Sequence, residues 1–357
     1  MQRPEVMFET ITFLDPTGRL QQPLPEALIN RVKLVSLYRI MVLTRVFDAA
    51  AIKLQRTGAL GTYPSGEGQE AVGAGIGIAM SADDVLVPYY RDIATQIQRG
   101  VLLEEILRYW GGDEWGMHFK HQAQDFPICV PIASQTCHAV GIGYAIKYRR
   151  QTRAVVTTCG DGATSKGDFY ESINIAGALG LPVVFVVNNN RWAISVPLAK
   201  QTAARTIADK AVAAGIRGYR VDGNDPIAVY HAVGEALELA RDRYQASMVE
   251  AVTYRLGDHT TADDASRYRP QQELDDARTL EPLARFKAYL RRAHNWSDAE
   301  DEDLYARCEK QVRMAIENYQ LFPDQKPGEF FDYMFAKSTP ALEKQKRELL
   351  AEIKRHG

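Results

Sequence analysis

Apolar positions along this chain fall into two kinds of run. Residues 154–158 are a short β-branched stretch, and residues 182–187 (Pro-Val-Val-Phe-Val-Val) are a second. Runs of this length without alternation predict strands buried on both faces. Between them, Phe169, Ile173, Ala176 and Leu179 recur at three- and four-residue steps, the period of a helix packed along one side. Asp168 is placed to cap that helix, Gly180 to stop it, and Pro182 stands just beyond. A strand-helix-strand unit of this size predicts parallel neighbouring strands.

The alternation extends in both directions. Residues 1–25 predict an extended arm with a turn at Asp15-Pro16-Thr17-Gly18. A helix is expected over 25–57 and a strand over 85–88. Tyr89-Tyr90-Arg91-Asp92 should open the next helix, and another helix lies within 131–148. Beyond the central unit come an irregular loop near 195–209, a strand over 219–221, a helix over 226–244 and a strand over 248–254. Residues 255–270 are polar and aperiodic, and the tail from Leu280 is helical and charged. Glycines between Gly58 and Gly77 superficially suggest a nucleotide loop. No clean strand precedes them and no Lys-Ser/Thr follows, so they read as small residues for close helix packing. The pattern predicts an α/β fold with a mostly parallel sheet and helices on both faces. The expected organisation is an arm at 1–25, one large domain at 26–280 and a helical extension at 281–357.

With 357 residues the chain can bury a sizeable core, and its net charge of −2 gives no electrostatic case for nucleic acid. No apolar run reaches the length of a membrane span. The first residues lack both an apolar secretory core and the composition of a transit peptide. Cys129, Cys137, Cys159 and Cys308 show no metal or disulfide spacing and read as buried thiols in a reducing compartment, so a cytoplasmic location is expected.

Chemistry concentrates where the central strands end. Gly160-Asp161-Gly162 follows the first and Asn188-Asn189-Asn190 follows the second. Ligands of open parallel sheets bind outside the carboxyl ends of the strands. Magnesium takes oxygen ligands in octahedral geometry and usually keeps phosphate oxygens among them. Asp161 offers a carboxylate oxygen, Asn190 an amide oxygen and Trp192 a backbone carbonyl, with diphosphate oxygens and water to complete the shell. Plain turn chemistry is the alternative for either stretch alone. Tyr90-Arg91 also follows a predicted strand end; the planar guanidinium suits a diphosphate, and a surface ion pair is the alternative.

Gly160-Asp161-Gly162 followed by Asn189-Asn190 resembles the thiamine-diphosphate motif. The longer run Gly-Asp-Gly-Ala-Thr-Ser-Lys-Gly-Asp-Phe-Tyr-Glu over 160–171, with Asn189-Asn190-Arg191-Trp192-Ala193-Ile194-Ser195, is more specific. It resembles the alpha subunits of the decarboxylating component of 2-oxo acid dehydrogenase complexes. The similarity runs from about Phe13 past Tyr333. Bacterial pyruvate dehydrogenase alpha subunits are most similar, and branched-chain 2-oxo acid dehydrogenase alpha subunits come next.

The resemblance implies a thiamine-diphosphate-binding fold, with thiamine diphosphate and Mg2+ as cofactors. It implies cofactor contacts from Tyr90, Arg91, Ile132, Asp161, Gly162, Ala163, Asn190 and His259, and metal ligation by Asp161, Asn190 and Trp192. Ile132 would touch the aminopyrimidine ring, and Ser134 and Gln135 lie where some relatives bind a structural K+. His259, in the 255–269 loop, would line the active-site entrance as the catalytic residue, with Arg267, Tyr268 and Arg269 as the loop's anchoring end. Mitochondrial relatives carry a phosphorylatable serine where Thr260 stands, and Asp258 is a second departure from the family pattern.

The chain shows no motif for the glutamate that protonates the pyrimidine. In the family that residue comes from a beta subunit, so an α2β2 heterotetramer is implied, with the site at the subunit interface and the 281–357 extension packed on the same domain and on partner subunits. A lipoyl acyltransferase core would be the acyl acceptor and a small 2-oxo acid the substrate. Residues 167–171 and Gln201-Thr202-Ala203 look most like pyruvate dehydrogenases. Residues 221–225 and 260–264 look branched-chain-like as well, and acetoin dehydrogenase remains a further alternative. Leu60-Gly61-Thr62-Tyr63 lies where the family shapes its substrate pocket. A non-catalytic assembly scaffold and a magnesium phosphotransferase are readings of other classes. The intact Asp161, Asn190, Arg91 and His259 argue against the first, and the lack of a Walker loop against the second.

Overall fold

The computed structural model describes residues 8–323 and 325–356; the first seven residues of the expected arm lie outside these. Among the described residues, six parallel strands form one sheet in the order β1-β7-β8-β4-β3-β2. They are β1 (Thr10–Ile11), β2 (Val85–Val87), β3 (Val155–Gly160), β4 (Val183–Asn189), β7 (Arg217–Asp222) and β8 (Ser247–Val252). A separate antiparallel hairpin is made by β5 (Trp192–Ala193) and β6 (Val196–Pro197).

The two central strands are buried along their length because both faces are covered. Val183, Phe185 and Val187 face a layer formed by α5 (Ser134–Tyr148) and α6 (Gly167–Leu179), where Phe169 and Ile173 also pack. On the other side lie α1 (Arg31–Arg56), α2 (Glu70–Ala79), α3 (Ile93–Arg99) and α9 (Pro226–Arg243). The glycines of α2 serve packing, as expected: a Cβ on Gly73 would meet Ala94 Cβ at 2.7 Å, and one on Gly75 would meet Val229 Cβ at 2.7 Å. Helix α4 (Leu103–Trp110), the short helices α7 (Leu198–Gln201) and α8 (Lys210–Ala213), and α10 (Gln271–Arg278) decorate the loops. Helices α11 (Pro282–His294) and α12 (Asp298–Gln320) follow.

Residues up to Ile316 form one compact unit, which therefore continues past residue 280 through α11, whose Phe286 and Tyr289 are buried. The second unit, Glu317–Gly357, contains α13 (Glu329–Asp332) and α14 (Pro340–His356), tied by an ion pair between Asp332 and Lys346.

Several sequence expectations are corrected. The arm is not merely extended: β1 adds a parallel strand beside β7, and Asp225 Oδ2 accepts the backbone N–H groups of Phe13 and Leu14 at 2.7 Å each. The same carboxylate caps α9 through Ile227 and Ala228, so one buried acid fixes two elements. The first long helix starts at Arg31 rather than Pro25, because Asn30 caps it by accepting from Val32 N at 2.8 Å. Asp168 is not a cap. A 3-10 turn over Asp161–Ser165 leads into α6, which begins at Gly167, and Asp168 sits in its first turn beside Lys166. Residues 89–92 form a turn before α3 instead of opening it. The 195–209 loop contains β6 and α7. Of the four thiols, Cys159 and Cys308 are buried, Cys129 is half-buried and Cys137 is exposed, with its Sγ toward Asp168 and Ser172 of α6. Among the described residues no helix is long and apolar enough to cross a membrane.

Candidate functional site

Register brings the two informative stretches together. Gly160 pairs with Asn188 across β3 and β4, so Asp161 and Asn190 leave the same sheet edge side by side. Val87 pairs with Thr157, which delivers Tyr90 and Arg91 to that edge from β2. A cavity of about 190 Å³ opens there. Tyr90, Arg91, Ile132, Asp161, Gly162, Ala163, Asn190, Trp192 and His259 all line it, so the residues expected to contact cofactor or metal meet in one volume. Gln135 is there too, with Oε1 buried and unpartnered, while Ser134 donates its hydroxyl to Pro131 O at 2.6 Å.

Asp161 is almost fully buried, and its carboxylate Oδ2 accepts from the Gln201 amide at 2.6 Å. Burial pushes its pKa up, as expected for a carboxylate held by a neutral donor. Asn190 is oriented by Gln69, whose Oε1 accepts from Asn190 Nδ2 at 3.1 Å; the Asn190 side-chain oxygen accepts from Trp192 N at 3.2 Å. The Trp192 carbonyl accepts from Arg255 at 3.3 Å and keeps a second lone pair. A single buried carboxylate beside an oriented amide and a carbonyl is an oxygen-donor set that fits magnesium shared with a diphosphate. It is also why no group of three His, Cys, Asp or Glu side chains marks a metal site among the described residues. The turn allows close approach: a Cβ on Gly162 would meet Ala193 Cβ at 2.7 Å, whereas one on Gly160 would meet nothing within 4 Å.

Arg91 is buried, and its guanidinium donates to Ser65 O at 2.5 Å and His259 O at 3.0 Å. These partners are carbonyls, so the charge is left for an anionic ligand. His259 Nδ1 lies 3.3 Å from Arg91 and 3.3 Å from Arg255. Burial, then the two guanidiniums, push the imidazole pKa down to about 4. Because Nδ1 faces two obligate donors, the ring proton is assigned to Nε2. The loop itself is tied at both ends: Asp263 accepts from His259 N at 2.9 Å, and Arg269 donates to Arg255 O at 2.6 Å. Tyr268 joins through its hydroxyl to Arg255 and Asp263, whereas Arg267 closes the short turn before it.

Sequence reasoning missed Gln69, Gln201 and Arg255 as site residues. Gln69 stood within the Gly-Gln-Glu stretch, and Arg255 opened the polar loop; neither type carries a spacing signal. Tyr63, expected near the substrate pocket, does not line this cavity. Its hydroxyl binds Asp48, and its ring packs edge-on against Phe47 and Trp110.

Residues 38–327 match the model of the dehydrogenase E1 component, and the chain belongs to that family. It is 39% identical over 359 residues to the 3-methyl-2-oxobutanoate dehydrogenase subunit alpha of Mycobacterium tuberculosis (strain ATCC 25618 / H37Rv), covering 98% of this chain and 96% of the relative. It is 37% identical to the pyruvate dehydrogenase E1 component subunit alpha of Bacillus subtilis (strain 168), covering 94% and 91%. A third relative, the pyruvate dehydrogenase E1 component subunit alpha of Mycoplasma genitalium, is 34% identical over 93% of both chains. The chain is thus an alpha subunit of the thiamine-diphosphate-dependent 2-oxo acid dehydrogenase class, whose alpha subunits work with a beta subunit.

Proposed function

We propose that this chain is the alpha subunit of a pyruvate dehydrogenase and holds the diphosphate and Mg2+ half of the cofactor. The observation that carries the reading is the β3–β4 register, which sets Asp161 beside Asn190 at a cavity also lined by Arg91 and His259. Asp161, Asn190 and the Trp192 carbonyl would ligate Mg2+. Arg91 would fork onto diphosphate oxygens, with Tyr90 beside it, and Gly162 and Ala163 would let the turn approach them. Ile132 would flank the aminopyrimidine ring. Bound there, thiamine diphosphate supplies the nucleophile and electron sink for decarboxylating a 2-oxo acid. His259, neutral with its proton on Nε2, would donate to a developing oxyanion at the cavity mouth.

Val130, Ile132 and Ile194 are exposed along this cavity. A beta subunit that supplies the pyrimidine-activating glutamate would cover them and complete an α2β2 site, served by a lipoyl acyltransferase core. A K+ ion at Ser134 and Gln135 and a cytoplasmic location belong to the same proposal; the free thiols fit a reducing compartment. A second reading, with 3-methyl-2-oxobutanoate as substrate, is favoured by the 39% identity over 98% of the chain to the mycobacterial subunit. Turnover of the reconstituted α/β pair on both acids tests the choice. A kcat/KM at least about tenfold higher for pyruvate is expected, since the two acids differ by two carbons, each worth roughly 1–3 kcal/mol. The reverse preference overturns it in favour of the branched-chain acid.

A further inference from the structure

Asp48 lies on α1, is 2% exposed and does not line the cofactor cavity. Three donors converge on its carboxylate: the Tyr63 hydroxyl, the Ser65 hydroxyl at 2.9 Å and Gly66 N at 2.7 Å. The segment they belong to does two further things. Ser65 O accepts Arg91 Nη1 at 2.5 Å. Tyr63 makes a two-way clasp with Thr261: Tyr63 N donates to the Thr261 side-chain Oγ1 at 3.0 Å, and Thr261 N donates to Tyr63 O at 3.0 Å. Thr261 is two residues past His259, whose own carbonyl takes the other arm of Arg91 at 3.0 Å.

We propose that Asp48 is a positioning residue for the cofactor site. Through the 63–66 segment it aims the Arg91 guanidinium and pins the loop that carries His259. The proposal rests on the reading of Arg91 as a diphosphate ligand. The carboxylate accepts from all three groups at once: the Tyr63 and Ser65 hydroxyls and the Gly66 N–H. An amide could keep Ser65 and Gly66 on its oxygen but would turn its NH2 group to the Tyr63 hydroxyl, whose own buried proton would then lose its acceptor. Burial pushes the Asp48 pKa up to about 6, which shows what placing a carboxylate here costs. A tie that only held α1 to a loop would be met at lower cost by apolar packing of the neighbouring Phe47 and Tyr63 rings. What apolar packing does not supply is a fixed direction for the Ser65 carbonyl, and Arg91 depends on that direction.

The test is a double-mutant cycle in the assembled α/β complex, read as Mg2+-dependent affinity for thiamine diphosphate by calorimetry, with thermal unfolding of every variant. Arg91→Ala alone should weaken binding; if it does not, the diphosphate role of Arg91 fails and the proposal falls with it. Asp48→Asn should weaken binding about tenfold, the scale of losing an orienting partner behind a ligand. In the Arg91→Ala background it should cost clearly less, only the part carried through the Tyr63–Thr261 clasp. Wild-type affinity for Asp48→Asn beside a weakened Arg91→Ala, or two losses that multiply, overturns the positioning role while leaving Arg91 in place. Ser65→Ala removes one donor without a charge change and carries the same cycle if Asp48→Asn does not assemble. A few-fold loss that vanishes without Arg91 is expected, and unchanged affinity overturns the proposal.

Discussion

His259 Nδ1 lies 3.3 Å from Nη2 of Arg91, so the imidazole accepts from a cation rather than competing with it. With its pKa pushed down to about 4, His259 stays neutral through the physiological range. The unfolded chain would protonate near pH 6.5, so the folded state loses stability relative to it as pH falls from 6.5 toward 4, and this group contributes no pH dependence above that window. An anionic diphosphate beside the ring raises its pKa again. Cofactor binding at pH 6 is therefore expected to take up protons, seen as a binding enthalpy that changes with the ionisation enthalpy of the buffer. His259→Ala should abolish that uptake and cut acyl transfer while leaving subunit assembly intact. Buffer-independent enthalpy in the wild type would remove His259 from the diphosphate's surroundings.

Asp161 is destabilising where it stands, since burial raises its pKa and its hydrogen-bond donor is the neutral Gln201 amide. Asp161→Asn should raise the thermal midpoint of the cofactor-free chain, by the order of 1 kcal/mol of stability. The same change should weaken Mg2+-dependent cofactor binding by about 100-fold or more. A variant with unchanged cofactor affinity would contradict the metal assignment whatever its stability.

Gly162 has no room for a side chain, because its Cβ would sit 2.7 Å from Ala193 Cβ. Gly162→Ala should push the turn and the β5–β6 hairpin apart, at a cost of about 1–3 kcal/mol. Asp161 would move off its Gln201 hydrogen bond. Loss of both stability and cofactor affinity is expected in denaturation and binding titrations; loss of neither would show that the turn yields freely.

Asp225 joins the arm to α9 through four backbone donors. Asp225→Ala should cost about 2–4 kcal/mol, beyond the roughly 0.5–2 kcal/mol of an N-cap alone. Hydrogen exchange at Thr10–Ile11 should accelerate with it. Unchanged protection there would mean that β1 is held by its pairing to β7 alone.

The central unit was legible because its signal is local. Val183 to Val187 is apolar on both faces, and Gly160 and Asn188 mark where the strands stop. Asp161 and Asn190 could be paired from sequence because adjacent parallel strands end together. The arm's strand was not legible: Thr10–Ile11 is too short for a period, and Asp225, which fixes it, lies more than two hundred residues away. Asp168 was misplaced because a 3-10 turn precedes α6, and nothing in residue type separates a cap from a first-turn acid. Gln69, Gln201 and Asp48 escaped for a common reason. Each acts on a residue brought near by folding, and a polar side chain that supports another leaves no pattern in the chain.

The most direct test of a diphosphate half-site completed by a second subunit is a calorimetric titration of thiamine diphosphate with magnesium, run on this chain alone and on this chain assembled with its beta subunit. Tight, magnesium-dependent binding in the assembly, lost with Asp161→Ala and at least about tenfold weaker for the isolated chain, is the predicted result. Full-affinity binding to the isolated chain would contradict the divided site, and no binding in the assembly would contradict the cofactor site itself.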